Sequence, residues 1–252
     1  MTEQPALASY ALRLGDDALI LSQRLSEWIS RAPQLEEDVA MANIALDLLG
    51  QARTLLTYAG EVEGMGRSED DLAYFRDDRQ YRNLHMVELE NGDFAQTIAR
   101  QLAFSSYQLE MYLALRRSRD ETLAGVAGKA VKEVTYHRDH ATQWTLRLGD
   151  GTEESRRRMQ AGIERVWPYV DEMFRSDPLE QALAADGLAV DARELRPGWD
   201  EYVGAVLRQA TLTRPQTRTA PGGGRQGLHT EQLGYLLGEM QYLARSHPYS
   251  RW

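Results

Sequence analysis

Apolar residues recurring every three or four positions constrain this chain more than any other feature, because only a helix gathers that spacing onto one face. Leu7, Ala11, Leu14, Ala18, Leu21, Leu25 and Trp28 keep the step until Pro33 breaks it. Leu35, Val39, Ala42, Leu46, Leu49 and Leu56 resume it, and it fades at Gly60, Gly64 and Gly66. Each run predicts a helix about 40 Å long at 1.5 Å per residue. Residues 68–92 differ: they are rich in Asp and Arg, with Tyr74, Phe75 and Tyr81 interspersed, and predict a long crossover with one or two short helical turns. A third helix follows from Asp93 to about Ser118 on Phe94, Ile98, Leu102, Ser105, Leu109 and Tyr112. Asp120 caps a fourth, which runs to Leu148 and stops at Gly149-Asp150-Gly151. The chain has no alternating run long enough for a sheet, no repeat of fixed length and no evident linker.

Two helical hairpins joined by one long crossover is the ferritin-like arrangement. The rest of the chain is shorter and more broken: helices over 152–175, 178–185 and 195–211, the last started at Pro197, then a loop from Arg214 to Gly227 and a final helix from Thr230 to Ser246. The expected fold is therefore all-α, a single domain over residues 1–252. Its core is a ferritin-like four-helix bundle over about 6–149, with a helical C-terminal extension over about 150–252.

Composition narrows the chemistry. The 252 residues include no Cys, which excludes disulfides, thiolate-bound metals and a cysteine nucleophile. A net charge of -9 argues against nucleic acid as a partner. Apolar runs are too short and too often broken by charge to span a bilayer, and Met1 to Pro5 lack the pattern of a signal peptide. A cytoplasmic, membrane-free protein is expected.

Ferritin-like dimetal sites take a Glu from each of two helices and Glu-x-x-His from each of the other two. The histidines here are His85, His137, His140, His229 and His247, none of them in the second helix, where Asn43, Asp47 and Gly50 stand instead. In the fourth helix the residue three before His137 is Val134, and the residue three after Glu133 is Tyr136. No Glu-x-x-His lies in the four long helices, so no metal, cofactor-binding or catalytic residue is assigned. Asp47, Glu110, Lys129, Lys132, Glu133 and His137 are expected to mark a degenerate site region. Lys129 and Lys132 are the only lysines among 29 basic residues. Lys129 has the i, i+4 spacing for a solvated pair with Glu133, and either lysine suits instead an ammonium turned inward to neutralise Asp47, Glu110 or Glu133. A free-standing metal-dependent oxidase using Glu133 and His137, with Glu110 and Asp47, is the alternative.

The run Gly222-Gly223-Gly224-Arg225-Gln226-Gly227 precedes a helix without a preceding strand or Walker spacing, and reads as a flexible loop. Arg214, Arg218 and Arg225 make it locally basic in an acidic chain, suited to an acidic partner surface or an anionic ligand such as coenzyme A. With His229 they form the expected partner interface.

Several stretches carry a resemblance. They are Tyr10 to Asp17, Ala42 to Arg53, Lys129 to His137, Gly227-Leu228-His229-Thr230-Glu231-Gln232-Leu233-Gly234, and Glu239-Met240-Gln241-Tyr242-Leu243. In order and spacing they resemble the PaaC family, the non-catalytic subunits of bacterial ring-1,2-phenylacetyl-CoA epoxidase, over about residues 6–252. The resemblance implies a ferritin-like structural subunit of a multicomponent monooxygenase in aerobic phenylacetate breakdown. It implies a related catalytic subunit, PaaA, that carries the di-iron centre and binds the thioester. The complex it implies also holds a reductase fed by NADPH and a small further subunit. The matched stretches are structural, so no catalytic residue carries over.

Overall fold

In a computed structural model the described residues are 3–248 and 250; Met1 and Thr2 of the Met1 to Pro5 stretch lie outside them. Among the described residues the fold is all-α, with no strand. The helices, in chain order, are α1 (Glu3–Ser26), α2 (Leu35–Glu63), α3 (Glu69–Tyr74), α4 (His85–Glu88), α5 (Phe94–Leu115), α6 (Glu121–Gly149), α7 (Glu153–Val166), α8 (Pro178–Ala185), α9 (Arg196–Gln209) and α10 (Glu231–Ser246). Two hairpins of long helices, α1–α2 and α5–α6, are joined by the expected crossover, which is the ferritin-like order. The chain forms two compact units, residues 1–90 with 222–252, and residues 91–221. The division falls at 90/91 and 221/222, not near residue 149. The C-terminal extension is thus shared: 150–221 belongs with the second hairpin and 222 onward with the first.

In the first unit, α1 buries the stripe its spacing predicts: Leu7, Ala11, Leu14, Ala18, Leu21 and Leu25. A Cβ on Gly15 would meet Leu56, and the Ser22 hydroxyl donates to the Ala45 carbonyl (2.7 Å), the pairing of an antiparallel hairpin. Helix α2 does not bury the stripe its sequence emphasises. Met41, Ile44, Ala45, Leu48, Ala52, Leu55 and Leu56 form its inner face, whereas Leu35, Val39, Leu46 and Leu49 are exposed. The helix is apolar on two faces, and period alone does not say which turns inward. It ends where Gly64 takes a left-handed conformation (φ 69°), which a glycine adopts without strain. In the crossover, Ser68 and Asp71 form a capping box that starts α3. Helix α10 lies against α1, α3 and α4, and the Gln241 amide donates to the carbonyls of Ala73 and Arg76 (both 3.0 Å).

In the second unit, α5 is buried on every side from Ala95 to Leu109, the mark of an interior helix. Asp93 caps it by accepting from the Gln96 N–H (2.9 Å), and Asp120 caps α6 by accepting from the Leu123 N–H (2.8 Å), as read from the sequence. Helices α6, α7 and α9 pack on α5. Trp199 of α9 is fully buried and donates its indole N–H to the Ala103 carbonyl (2.8 Å), with Phe174 edge-on against it. Helix α7 approaches α5 so closely that a Cβ on Gly162 would sit 2.9 Å from the Gln96 Cα and 3.0 Å from the Ala95 carbonyl oxygen. Both are backbone atoms and cannot rotate away. Gly162→Ala is therefore expected to destabilise the protein by about 1–3 kcal/mol through overpacking. An unchanged thermal unfolding midpoint would contradict this contact.

Candidate functional site

The largest concentration of buried charge lies in the first unit, where the polar groups of α1 interrupt an apolar stripe. Asp16 and Asp17 follow Leu14 and Gly15 near the middle of the helix, and both side chains are buried. A buried carboxylate must be paired, and two segments remote in sequence supply the partners. Arg76 from the crossover makes a two-pronged ion pair with Asp16 (Nη1 at 3.0 Å, Nη2 on the other oxygen) and stacks over the Tyr81 ring at 4.2 Å. The Arg82 backbone N–H adds a third bond to Asp16 (2.8 Å). Arg225, from the glycine-rich loop, donates to both oxygens of Asp17 (2.7 and 3.1 Å) and to the carbonyls of Arg82 (2.7 Å) and Arg13 (3.1 Å). The Leu84 N–H also donates to Asp17 (2.8 Å). Burial nevertheless pushes the Asp17 carboxyl up to about 6, against the pull of Arg225.

Beside these pairs sits a second cluster. Glu88 of α4 is fully buried and accepts from the Thr230 N–H (2.7 Å), the Asn83 amide (3.0 Å) and His229 Nδ1 (3.0 Å). His229 Nε2 lies 3.0 Å from the Tyr81 carbonyl, which can only accept. Both ring nitrogens thus face acceptors, and His229 is held as an imidazolium against Glu88. Burial pulls its affinity for the proton down, but the hydrogen bond and charge of Glu88 more than offset that and raise the pKa above the usual imidazole value. His85 Nε2 donates to the Leu228 carbonyl (2.6 Å) and lies 4.0 Å from Glu88. Arg24 of α1 closes the cluster by donating to the carbonyls of Glu88 (2.9 Å) and Gln232 (3.0 Å).

His85, Glu88 and His229 are the one group of three potential metal-binding side chains among the described residues, their ligand atoms within 4.8 Å of one another. The donor set does not fit a two-iron centre, which takes about four carboxylates and two imidazoles. It has one carboxylate, and both facing ring nitrogens carry protons that satisfy carbonyls or Glu88. The chemistry of this arrangement is attachment: it fastens the Gly222–Thr230 segment and the start of α10 to α1 and α4.

The residues singled out from sequence fall elsewhere. Asp47 is half-buried on α2. In the second unit, Glu110 of α5 lies 3.8 Å from Arg138 of α6, which stacks over Tyr202 at 4.0 Å. His137 is buried, its ring edge-on to Tyr136, and Glu133 is half-buried one turn before it. The inward-turned lysine is corrected by the structure. Lys129 pairs along the helix with Glu133 at 3.5 Å, its side chain 75% exposed, and Lys132 is exposed. The ammonium stays in water because the i, i+4 contact is reached there without desolvation. In the loop, Arg214 pairs with Asp200 (2.7 Å) and lies over Trp167, and Arg218 is exposed. Arg225 and His229 turn inward, which removes them from an outward-facing interface: the buried acids Asp17 and Glu88 bind them. Sequence reasoning missed Asp16, Asp17, Arg76, His85 and Glu88. Two adjacent acids inside the α1 stripe were the available signal, since such acids require buried cations.

No described helix is long and apolar enough to cross a membrane. Helical hairpins in ferritin-like order, with α1 of the first tied to the crossover and the 222–230 loop by buried ion pairs, define the class: an all-α, ferritin-like protein. The chain belongs to the family described as Phenylacetic acid catabolic protein, PaaA_PaaC, which matches residues 1–252. It is similar to the 1,2-phenylacetyl-CoA epoxidase subunit designated C in Escherichia coli (strain K12), 49% identical over 246 residues, covering 98% of this chain and 99% of that one.

Proposed function

We propose that this chain is the structural, non-catalytic subunit of a multicomponent di-iron monooxygenase that epoxidises the ring of phenylacetyl-CoA in the cytoplasm. The observation that carries the reading is the end-to-end similarity to a protein named as a subunit of 1,2-phenylacetyl-CoA epoxidase. The side chains support the assignment of the di-iron centre to the partner. Glu110 and Glu133, the acids nearest a ferritin-like ligand pattern, are already engaged, Glu110 by Arg138 at 3.8 Å and Glu133 by the exposed Lys129 at 3.5 Å along its own helix. The His/Glu cluster of the first unit is committed to holding α10. The catalytic subunit, PaaA, would hold the iron, which supplies oxygen activation, and would bind the thioester. The set is completed by a reductase and a small accessory subunit. The role of this chain is mechanical: long helical hairpins, the first of them tied to the crossover and the glycine-rich loop by buried ion pairs, offer a stiff surface that keeps the partner's helices in their active arrangement.

The test is reconstitution. Catalytic subunit plus reductase is expected to epoxidise phenylacetyl-CoA only when this chain is present, and iron is expected to follow the catalytic subunit when the two are separated. Full activity without this chain would rule out the supporting role. Stoichiometric iron on this chain, lost in Glu133→Ala and His137→Ala, would favour the metal-dependent oxidase instead.

A further inference from the structure

Helix α2 has two apolar faces, and only one packs within its unit. The outward face carries Leu35, Val39, Ala42, Leu46 and Leu49, with Leu35 75%, Val39 53%, Leu46 63% and Leu49 45% exposed. Their spacing is 4-3-4-3. We infer that this seam is the docking surface for one helix of the catalytic subunit, a helix with a matching apolar seam flanked by Arg or Lys. The inference rests on the reading above, and adds the surface and its chemistry.

Spacing is the first support. A period of 3.5 residues keeps side chains facing a partner helix along its length, and from Leu35 to Leu49 the seam extends about 21 Å. Scattered exposed leucines need no explanation, but a continuous apolar stripe on a water-facing helix marks an interaction site. Ile29, 52% exposed in the turn before α2, adds to the apolar surface near the start of the helix.

Charge selects the occupant. Helix α2 holds six acids (Glu36, Glu37, Asp38, Asp47, Glu61 and Glu63) and one base, Arg53, which is engaged by Glu69 at 3.2 Å. Glu36 and Asp38 flank the start of the seam, and Asp47 lies near its far end, between Leu46 and Leu49. A second copy of this chain would bring the same acidic rim, and two chains of net charge -9 would meet acid to acid. A different helix with basic flanks would neutralise that rim and gain charge-assisted bonds around an apolar centre, the usual anatomy of a stable interface.

The experiment uses the full chain and the full catalytic subunit, with affinity measured by calorimetry and complex mass by light scattering. Leu46→Glu is expected to weaken association by about 30-fold or more, the effect of a central hot spot. Leu35→Ser with Leu46→Ser, a milder pair at exposed positions, is expected to weaken it in the same direction with helicity unchanged. Glu36→Arg with Asp38→Arg is expected to weaken it more at low salt than at high salt. If the unaltered chain binds the catalytic subunit and both leucine variants bind it equally well, the seam is wrong and the structural-subunit reading stands. If the unaltered chain does not bind the catalytic subunit, both fall. If the chain self-associates and Leu46→Glu abolishes that alone, the occupant is a second copy and the inference is overturned.

Discussion

Asp16→Ala lowers the stability of the first unit by about 3–5 kcal/mol, the usual cost of removing one partner from a buried ion pair. The acid is fully buried and the Arg76 side chain is 3% exposed, so the guanidinium left behind has no water to turn to. The backbone N–H of Arg82 loses its acceptor at the same time, and an orphaned buried donor carries its own penalty. The loss therefore measures stranded groups more than the strength of the pair. Asp16→Leu combined with Arg76→Met removes both charges together and is expected to recover most of the stability, within about 2 kcal/mol of the unaltered chain. Urea unfolding, followed by hydrogen exchange in α1 and the crossover, separates the cases. A loss below about 1 kcal/mol for Asp16→Ala would show that water reaches Arg76. A double variant no better than the single one would show that the pair itself, not the stranded charge, carries the stability.

The hairpins were legible because helix spacing, Asp93, Asp120 and Gly64 are local signals, and local signals are what a sequence displays. Where α1 has one apolar stripe, the core face followed directly. Where α2 has two, the more obvious stripe was the outward one, because a chain that packs against something else shows the same leucines as a chain that packs on itself. The helix expected over 152–175 gives way after Val166 to two 3-10 turns, Trp167–Tyr169 and Asp171–Phe174. Pro168 provides the reason, since its nitrogen cannot donate to the helix ladder. The buried clamp was hidden for a different reason. Arg225 meets Asp17 from 208 positions away, and nothing around a Gly-Gly-Gly-Arg run states which acid it will find. The loop's composition suggested freedom, whereas the fold spends the run's glycines on tight turns and its arginine on a buried carboxylate. For the lysines the sequence left two readings open, and the plain one-turn pair of Lys129 with Glu133 is the one the fold adopts, the inward ammonium the one it does not.

The first unit grows less stable as pH rises, in two separable windows. Asp17 ionises near 6 in the fold against 3.8 for the free side chain, so the native state binds more protons than the unfolded chain between those values. Its stabilising contribution is present in full below about 4 and is lost as pH climbs through about 6, amounting to roughly 3 kcal/mol at 1.36 kcal/mol per unit. His229 is raised above the usual imidazole value of 6.5, so its contribution is complete below about 6.5 and is lost as pH rises through its folded value. Glu88→Gln separates the two windows. The amide keeps the shape of the carboxylate but not its charge, so the His229 proton is no longer held, and the buried pair is broken at a cost of about 3–5 kcal/mol near pH 6. Above about 6.5 the variant is expected to show a flat profile, because His229 enters both folded and unfolded states neutral. Between about 4 and 6 its profile is expected to be shallower than that of the unaltered chain, because His229 then binds a proton in the unfolded state but not in the fold, and this contribution rises with pH against the falling one of Asp17. Denaturation midpoints across both windows, with an NMR titration of the His229 ring, read these slopes directly. An undiminished slope above 6.5 in Glu88→Gln would mean that another group titrates there. The imidazolium would then not be what fastens the segment before α10 to the crossover.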